Sequence, residues 1–344
     1  MILCFYAYLH ILVDKYQEIN DERQKFEKLK KEIPIQLNQN STTLPTILIA
    51  GAQKGGTSAL AHWLQANNSQ NHGVCLAITH RQEQYRYLKE VHFFDKTEEY
   101  EKGQKFYENR FQHCLNQSKA LKNNEGVLLS MDATPAYMLY PERVFDMYQN
   151  VNQLNTLKII FSLREPISRD MSWYNHCKAR IQLQYHVPEY ANVARNRTYD
   201  DYVEQFVIPR LKGDSKVQAQ KGLYAKYLAK WFKLFPRNQI LILSYDEILE
   251  NPARTRWRVE QFIGQDFPLD NEGHNWQRKN ANDYAEKVKH PLCSTQRNLE
   301  EVFIPQNQQL YELIRSTKNR PPMEQHPFPE FKAGDCIDNG VDGH

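Results

Sequence analysis

The chain has 344 residues, 41% of them hydrophobic and 12% aromatic, which supports one large domain or two ordinary ones and excludes bulk disorder. Its formal charge is only +3, with no clustered basic stripe, so nucleic acid is not an expected partner. Six cysteines form no C-x-x-C pair, which excludes a zinc ribbon or a dithiol redox motif.

In chain order, "MILCFYAYLHILV" is an apolar start of 13 residues. It is shorter than the roughly 20 residues of a membrane span. It reads either as a short buried helix or as the end of a signal anchor. Residues 14–32 are charged and helix-favouring, a solvated stem, and a polar linker runs to Pro45. From Thr46 the pattern becomes α/β. Strands are expected at Thr46–Ala50, Val127–Met131, Leu157–Leu163 and Gln239–Ser244. Helices are expected at Thr57–Ala66, Pro141–Asn150, Ser168–Arg180, Tyr199–Leu211, Leu223–Phe235 and Arg254–Ile263. That alternation implies a mostly parallel sheet with ligands at the carboxyl ends of its strands. The organisation expected is a segment over 1–45, an α/β domain over 46–320 and a loosely ordered tail over 321–344.

Four stretches carry chemistry. The first, "GAQKGGTSAL" (Gly51 to Leu60), sits between a strand and a helix. A nucleotide P-loop has its lysine directly after the second glycine. Here Thr57 holds that place and the lysine is Lys54. The glycines Gly55 and Gly56, the hydroxyls of Thr57 and Ser58 and the helix N-terminus suit an anion. The second, "KEVHFFD" (Lys89 to Asp95), puts Glu90, His92 and Phe94 on one face if it is extended. A carboxylate beside an imidazole suits general-base work on a hydroxyl; an edge strand with solvated charges is the plainer reading. The third, "LREPISRDMSWY", delivers Arg164 from a strand end, with Ser172 about two helical turns on. Both can close on one phosphate, or Arg164 can pair with Glu165 or Asp170. The fourth, "MDATPAYMLYPERV" (Met131 to Val144), offers Tyr137 and Tyr140 as core or wall.

These stretches, with "GLYAKYLAKWFKLFPRNQILILSYDEI", stand in the order and spacing of the sulfotransferase family. The chain resembles the Golgi carbohydrate sulfotransferases, above all the heparan sulfate O- and N-sulfotransferase type, from about Pro45 to Ile314. The resemblance implies a P-loop-like three-layer αβα fold with a central, mostly parallel sheet. It implies 3′-phosphoadenosine-5′-phosphosulfate as donor co-substrate and no metal. Lys54, Gly55, Gly56, Thr57 and Ser58 match the 5′-phosphosulfate loop, and Arg164 and Ser172 the 3′-phosphate site. Glu90 falls on the catalytic base, His92 and Asp95 on its polar support. The resemblance also implies that Lys54, early in the loop, reaches the bridging oxygen of the group being transferred. Tyr224 resembles a position lining the nucleotide, and Lys287 and Lys289, in "EKVKHP", a late donor-binding loop. The acceptor implied is a carbohydrate, a glycosaminoglycan or another sulfated polysaccharide, in the Golgi lumen, with the apolar start as a type II anchor.

One position departs from the pattern. Heparan-type enzymes usually carry lysine where this chain has Ala133, so one acceptor-side charge is missing, with Lys89 or Arg81 as candidates to replace it. Two rivals stand beside this reading. A P-loop kinase would use Asp132 for magnesium, and an inactive glycan-binding relative would bind without transfer. Four N-x-[ST] sequons, at Asn40, Asn67, Asn116 and Asn196, fit a lumenal glycoprotein. Cys177 reads as a core thiol, while Cys75 and Cys114, in less regular segments, can bridge.

Overall fold

A computed structural model describes residues 44–66, 72–78, 87–121, 127–182, 189–211, 218–265 and 287–338. The apolar start, the stem, Arg81 and the sequons at Asn40 and Asn67 lie outside the described residues. Among the described residues no helix is long and apolar enough to cross a membrane.

The strands are β1 (Ile47–Gly51), β2 (His72–Ile78), β3 (Tyr87–Leu88), β4 (Val127–Asp132), β5 (Lys158–Leu163) and β6 (Ile240–Ser244). They form one sheet in the order β3-β2-β4-β1-β5-β6, parallel throughout except for the β2–β3 pair at the edge. Every residue of β1 and β6 is buried, which is why both read as apolar runs, broken only by Ser244 at the end of β6, instead of alternating ones. The main helices are α1 (Thr57–Ala66), α2 (Gln112–Leu121), α3 (Pro141–Asn150), α4 (Pro166–Gln182), α5 (Tyr224–Leu234), α6 (Pro252–Ile263) and α7 (Cys293–Ser316). With the sheet they make the expected three-layer αβα architecture. β1 lies between β4 and β5, so the loops leaving all three strands meet at one carboxyl edge.

The four expected strands and six expected helices are present, with ends moved by at most two residues. The span Tyr199–Leu211 contains a π-helical turn at Val203–Val207. Among the described residues, elements that come without a sequence expectation include β2, β3, the helical stretch around Gln104–Leu121, the short helix Tyr245–Glu250 and α7. β2 carries His72, Gly73 and Cys75 in place of a clean apolar run, and α7 contains Pro305.

The loosely ordered tail is a correction. Residues 321–338 pack against the domain, with Met323 and Phe328 buried. Arg237 pairs with the buried Glu324, whose other oxygen accepts from the Ile242 backbone N–H at 2.8 Å, on β6. Arg258 donates to the Met323 carbonyl. A disulfide joins Cys293 to Cys336, and Ile337 exchanges backbone hydrogen bonds with Pro291 and Cys293. Removing one partner of a buried pair strands the other charge, at a cost of about 3–5 kcal/mol. Glu324→Ala is therefore expected to lower the urea unfolding free energy by about that amount; an unchanged midpoint would show that the tail does not anchor β6.

Cys75 and Cys114 bridge each other, tying β2 to α2. Cys177 is a buried free thiol, as expected, and burial pushes its pKa up to about 12.

Candidate active site

The loop after β1 is fixed from below. Ala52 N–H donates to the Ser162 carbonyl of β5 at 2.8 Å, and Gly55 N–H to the Ala52 carbonyl at 2.9 Å. The Ser162 hydroxyl returns a bond to the Gly55 carbonyl. A Cβ on Gly55 would stand 2.3 Å from the Ser162 carbonyl oxygen, so only glycine lets the loop lie this close to β5. Gly56 has φ +86°, and Lys54 itself is left-handed at φ +69°. The loop thus turns back on itself at Lys54 before α1 begins at Thr57. Burial, and then the charge of Arg164, push the Lys54 ammonium down to about 8. Glu90 and Lys89 also act on it electrostatically, so the first two expected stretches lie within electrostatic reach of each other.

The second stretch is not extended. His92 has φ +57°, and the chain turns there. The expected strand face is replaced by a tighter arrangement. His92 Nε2 lies 3.2 Å from Glu90 Oε2, and Nδ1 lies 2.9 Å from Asp95 Oδ2. Lys89 pairs with the other Glu90 oxygen and donates to the Ala133 carbonyl at 3.2 Å. Desolvation opposes ionisation of Glu90, but His92 and Lys89 outweigh it and hold the carboxyl at about 2. Desolvation likewise opposes protonation of His92, and the bonds to Asp95 and Glu90 raise it to about 9. At neutral pH Glu90 is therefore ionised and His92 protonated, so an imidazolium stands between Glu90 and Asp95, with Lys89 on the Glu90 flank.

What holds the turn in place was not legible as a site. Asp132, ending β4, is fully buried. Its carboxylate accepts from Thr134 Oγ1 at 2.6 Å and from the Tyr107 and Tyr137 hydroxyls, each at 2.8 Å. Thr134 Oγ1 in turn accepts from the Val91 and His92 backbone N–H groups at 2.9 and 3.3 Å. Tyr137, expected as core or wall, also accepts from the Phe93 N–H at 2.9 Å. Phe93 and Phe94 pack on Tyr107 and Tyr137 beneath. These partners saturate Asp132 in a buried site, so it is a poor magnesium ligand, and the kinase reading loses its one support.

Arg164 leaves β5 and lies over the Tyr245 ring at 4.7 Å. The plainer alternative for it, an ion pair with Glu165 or Asp170, is not what the structure holds. Glu165 accepts from the Ile167 and Ser168 N–H groups at the start of α4, and Asp170 pairs with Arg169 at 3.3 Å. Ser172 follows on α4, half-buried. Tyr224 is buried and donates to the Arg164 carbonyl at 2.7 Å, so it positions Arg164 from behind. Lys287 and Lys289 flank Val288, whose backbone is clamped by Asn175 through bonds of 2.8 and 3.0 Å, one turn beyond Ser172. Their side chains line a cavity of about 840 Å³ with Lys178 and Arg197, and none of Lys54, Glu90, Arg164 or Ser172 lines it.

A family model described as "Sulfotransferase domain" matches residues 44–308. The chain belongs to the sulfotransferase family. Relatives of this sulfotransferase include mouse heparan sulfate glucosamine 3-O-sulfotransferase 3A1, 28% identical over 66% of the chain and 48% of the relative. Mouse heparan sulfate glucosamine 3-O-sulfotransferase 5 is 25% identical over 64% and 53%. The human form 6 is 24% identical over 67% and 56%. The chain spans about half the length of these curated relatives. Among solved structures, a sulfotransferase from Alicyclobacillus acidocaldarius matches with a TM-score of 0.47 and 19% identity, over 80% of this chain and 97% of that one.

Proposed function

We propose that the protein transfers a sulfuryl group from 3′-phosphoadenosine-5′-phosphosulfate to a hydroxyl of a glycosaminoglycan or similar polysaccharide. The observation that carries this is the Glu90–His92–Asp95 group at the carboxyl edge of the sheet, with Lys54 within electrostatic reach of Glu90. The site residues fit the donor. The glycine cradle and α1 N-terminus suit the phosphosulfate, with Thr57 and Ser58 adding hydroxyl donors. Arg164, free of ion pairs among the described residues, suits the 3′-phosphate with Ser172. Lys287 and Lys289 remain candidates for that phosphate through the loop clamped by Asn175.

Glu90 accepts the proton of the acceptor hydroxyl as its oxygen bonds to sulfur. The sulfur–oxygen bond to the 5′-phosphate breaks, and 3′-phosphoadenosine 5′-phosphate leaves. Lys54 neutralises charge growing on that leaving oxygen. His92 orients Glu90, and Asp95 holds His92. The names of the relatives support heparan sulfate as the first acceptor to try. Two disulfides fit an oxidising compartment. They support a lumenal site in the Golgi; the glycoprotein and anchor readings rest on the sequons and the apolar start alone.

Two measurements test this. A thermal shift with 3′-phosphoadenosine 5′-phosphate reads donor binding. Radiolabelled sulfate transfer onto heparan, chondroitin and other polysaccharides reads catalysis. No shift and no transfer to any of them sinks the proposal. Donor binding without transfer marks an inactive relative. The pH profile is a further expected result. Glu90 stays ionised down to about 2, so kcat/KM has no acid limb from it in the working range. Lys54, lowered to about 8, loses its charge as pH rises through that value, and kcat/KM is expected to fall there. A profile still flat at about pH 9 would remove the ammonium from the mechanism.

A further inference from the structure

The cations at this edge of the sheet differ in what holds them. Lys89 is committed to Glu90, and Arg169 to Asp170. Lys221 is held otherwise. It lies in the 3₁₀ turn Gln218–Gly222, just ahead of α5. Its ammonium donates to Gln53 Oε1 at 2.8 Å, a neutral amide oxygen on the residue before Lys54. Among the described residues it has no other hydrogen-bond partner. It is half-buried, and it lies within electrostatic reach of Asp95 and Glu90 as well as Arg169. Burial first, and Arg169 second, lower it to about 8, so its charge is poorly compensated.

An ammonium resting on a neutral amide in a desolvated place gains most by exchanging that partner for an anion. The donor's phosphates are already met by the Lys54–Ser58 loop and by Arg164. Lys221 instead lies within electrostatic reach of Glu90 and Asp95, beside which Ala133 contributes no charge. We propose that Lys221, parked on Gln53 at rest, is an acceptor-side anion contact that takes a carboxylate or sulfate of the sugar chain beside the reacting hydroxyl. This inference rests on the sulfotransferase reading of the site.

The experiment measures binding of a sulfated heparan octasaccharide, without donor, by fluorescence anisotropy. Wild type, Lys221→Met and Lys221→Arg are compared, and each is given a parallel thermal shift with 3′-phosphoadenosine 5′-phosphate. Lys221→Met is expected to weaken the octasaccharide by about tenfold, the loss of one charge-assisted contact. Lys221→Arg keeps the charge and is expected to stay within about threefold of wild type. The nucleotide shift is expected to persist in all three. Equal octasaccharide binding by wild type and Lys221→Met overturns the inference, as does a wild type that does not bind it. Loss of the nucleotide shift together with the octasaccharide would make Lys221 a prop for the loop through Gln53, which also overturns it. An octasaccharide held through Lys221 by a protein that shows no nucleotide shift would instead sink the donor reading and leave Lys221 standing.

Discussion

Lys54→Ala is expected to lower kcat by a factor on the order of 10² to 10³, the loss measured when one preorganised donor to a developing anion is removed. The substitution is clean for a structural reason. Lys54 already holds φ +69°, and alanine carries the same Cβ, so the backbone penalty is unchanged. The loop's course is set by Gly55 against Ser162 and by Gly56 beside Tyr245, neither of which involves the lysine side chain. What disappears is the ammonium with its methylene stem. Charge on the oxygen between phosphorus and sulfur grows toward the transition state, so kcat should fall further than donor affinity does. Steady-state kinetics beside a nucleotide thermal shift separates the two. Equal losses in both would recast Lys54 as a binding residue, and unchanged kcat would remove it from the chemistry.

How much of this was legible in the sequence depends on whether the signal was local. The loop was readable because glycines, a lysine and a strand-to-helix change sit within ten residues. β1, β5 and β6 were readable because strands buried on both faces are mostly apolar, with only Lys158, Ser162 and Ser244 interrupting the runs. The turn at His92 was not. Its positive φ is sustained by Thr134, over 40 residues away, and by the buried carboxylate of Asp132 beneath it. An aspartate that ends a strand looks the same in sequence whether it binds a metal or three hydroxyls. Lys221 was missed for a related reason. It is one lysine in a polar stretch, and only its meeting with Gln53, 168 residues away in sequence, gives it a place. The tail after Pro321 misled because proline and glycine suggest looseness, whereas the buried Glu324 and the Cys293–Cys336 bridge fasten it.

Glu90→Gln is expected to lower turnover by about 10² to 10⁴-fold, the range for loss of a positioned general base. Glutamine keeps the shape and can still meet Lys89 or His92 through its carbonyl oxygen, but it cannot take the proton. The same change should alter His92. The imidazole now draws its raised pKa from Asp95 and from Glu90, and losing the second carboxylate should move it down from about 9, visible as an earlier imidazole titration by NMR. Stability should follow with a definite sign. Glu90 is depressed, so its contribution is present above its unfolded value near 4.5 and is lost as pH falls toward about 2. His92 is raised, so its contribution is full below 6.5 and is lost as pH rises through about 9. The stability gap between wild type and Glu90→Gln should therefore be widest between 4.5 and 6.5 and should narrow above about 9. These readouts distinguish roles that a rate alone confuses. A fallen rate with the shifted His92 titration and the pH-dependent gap is what a base inside this ion group produces. A fallen rate with His92 unmoved would mean that Glu90 acts apart from the imidazole. Wild-type turnover in Glu90→Gln would place the proton acceptor elsewhere.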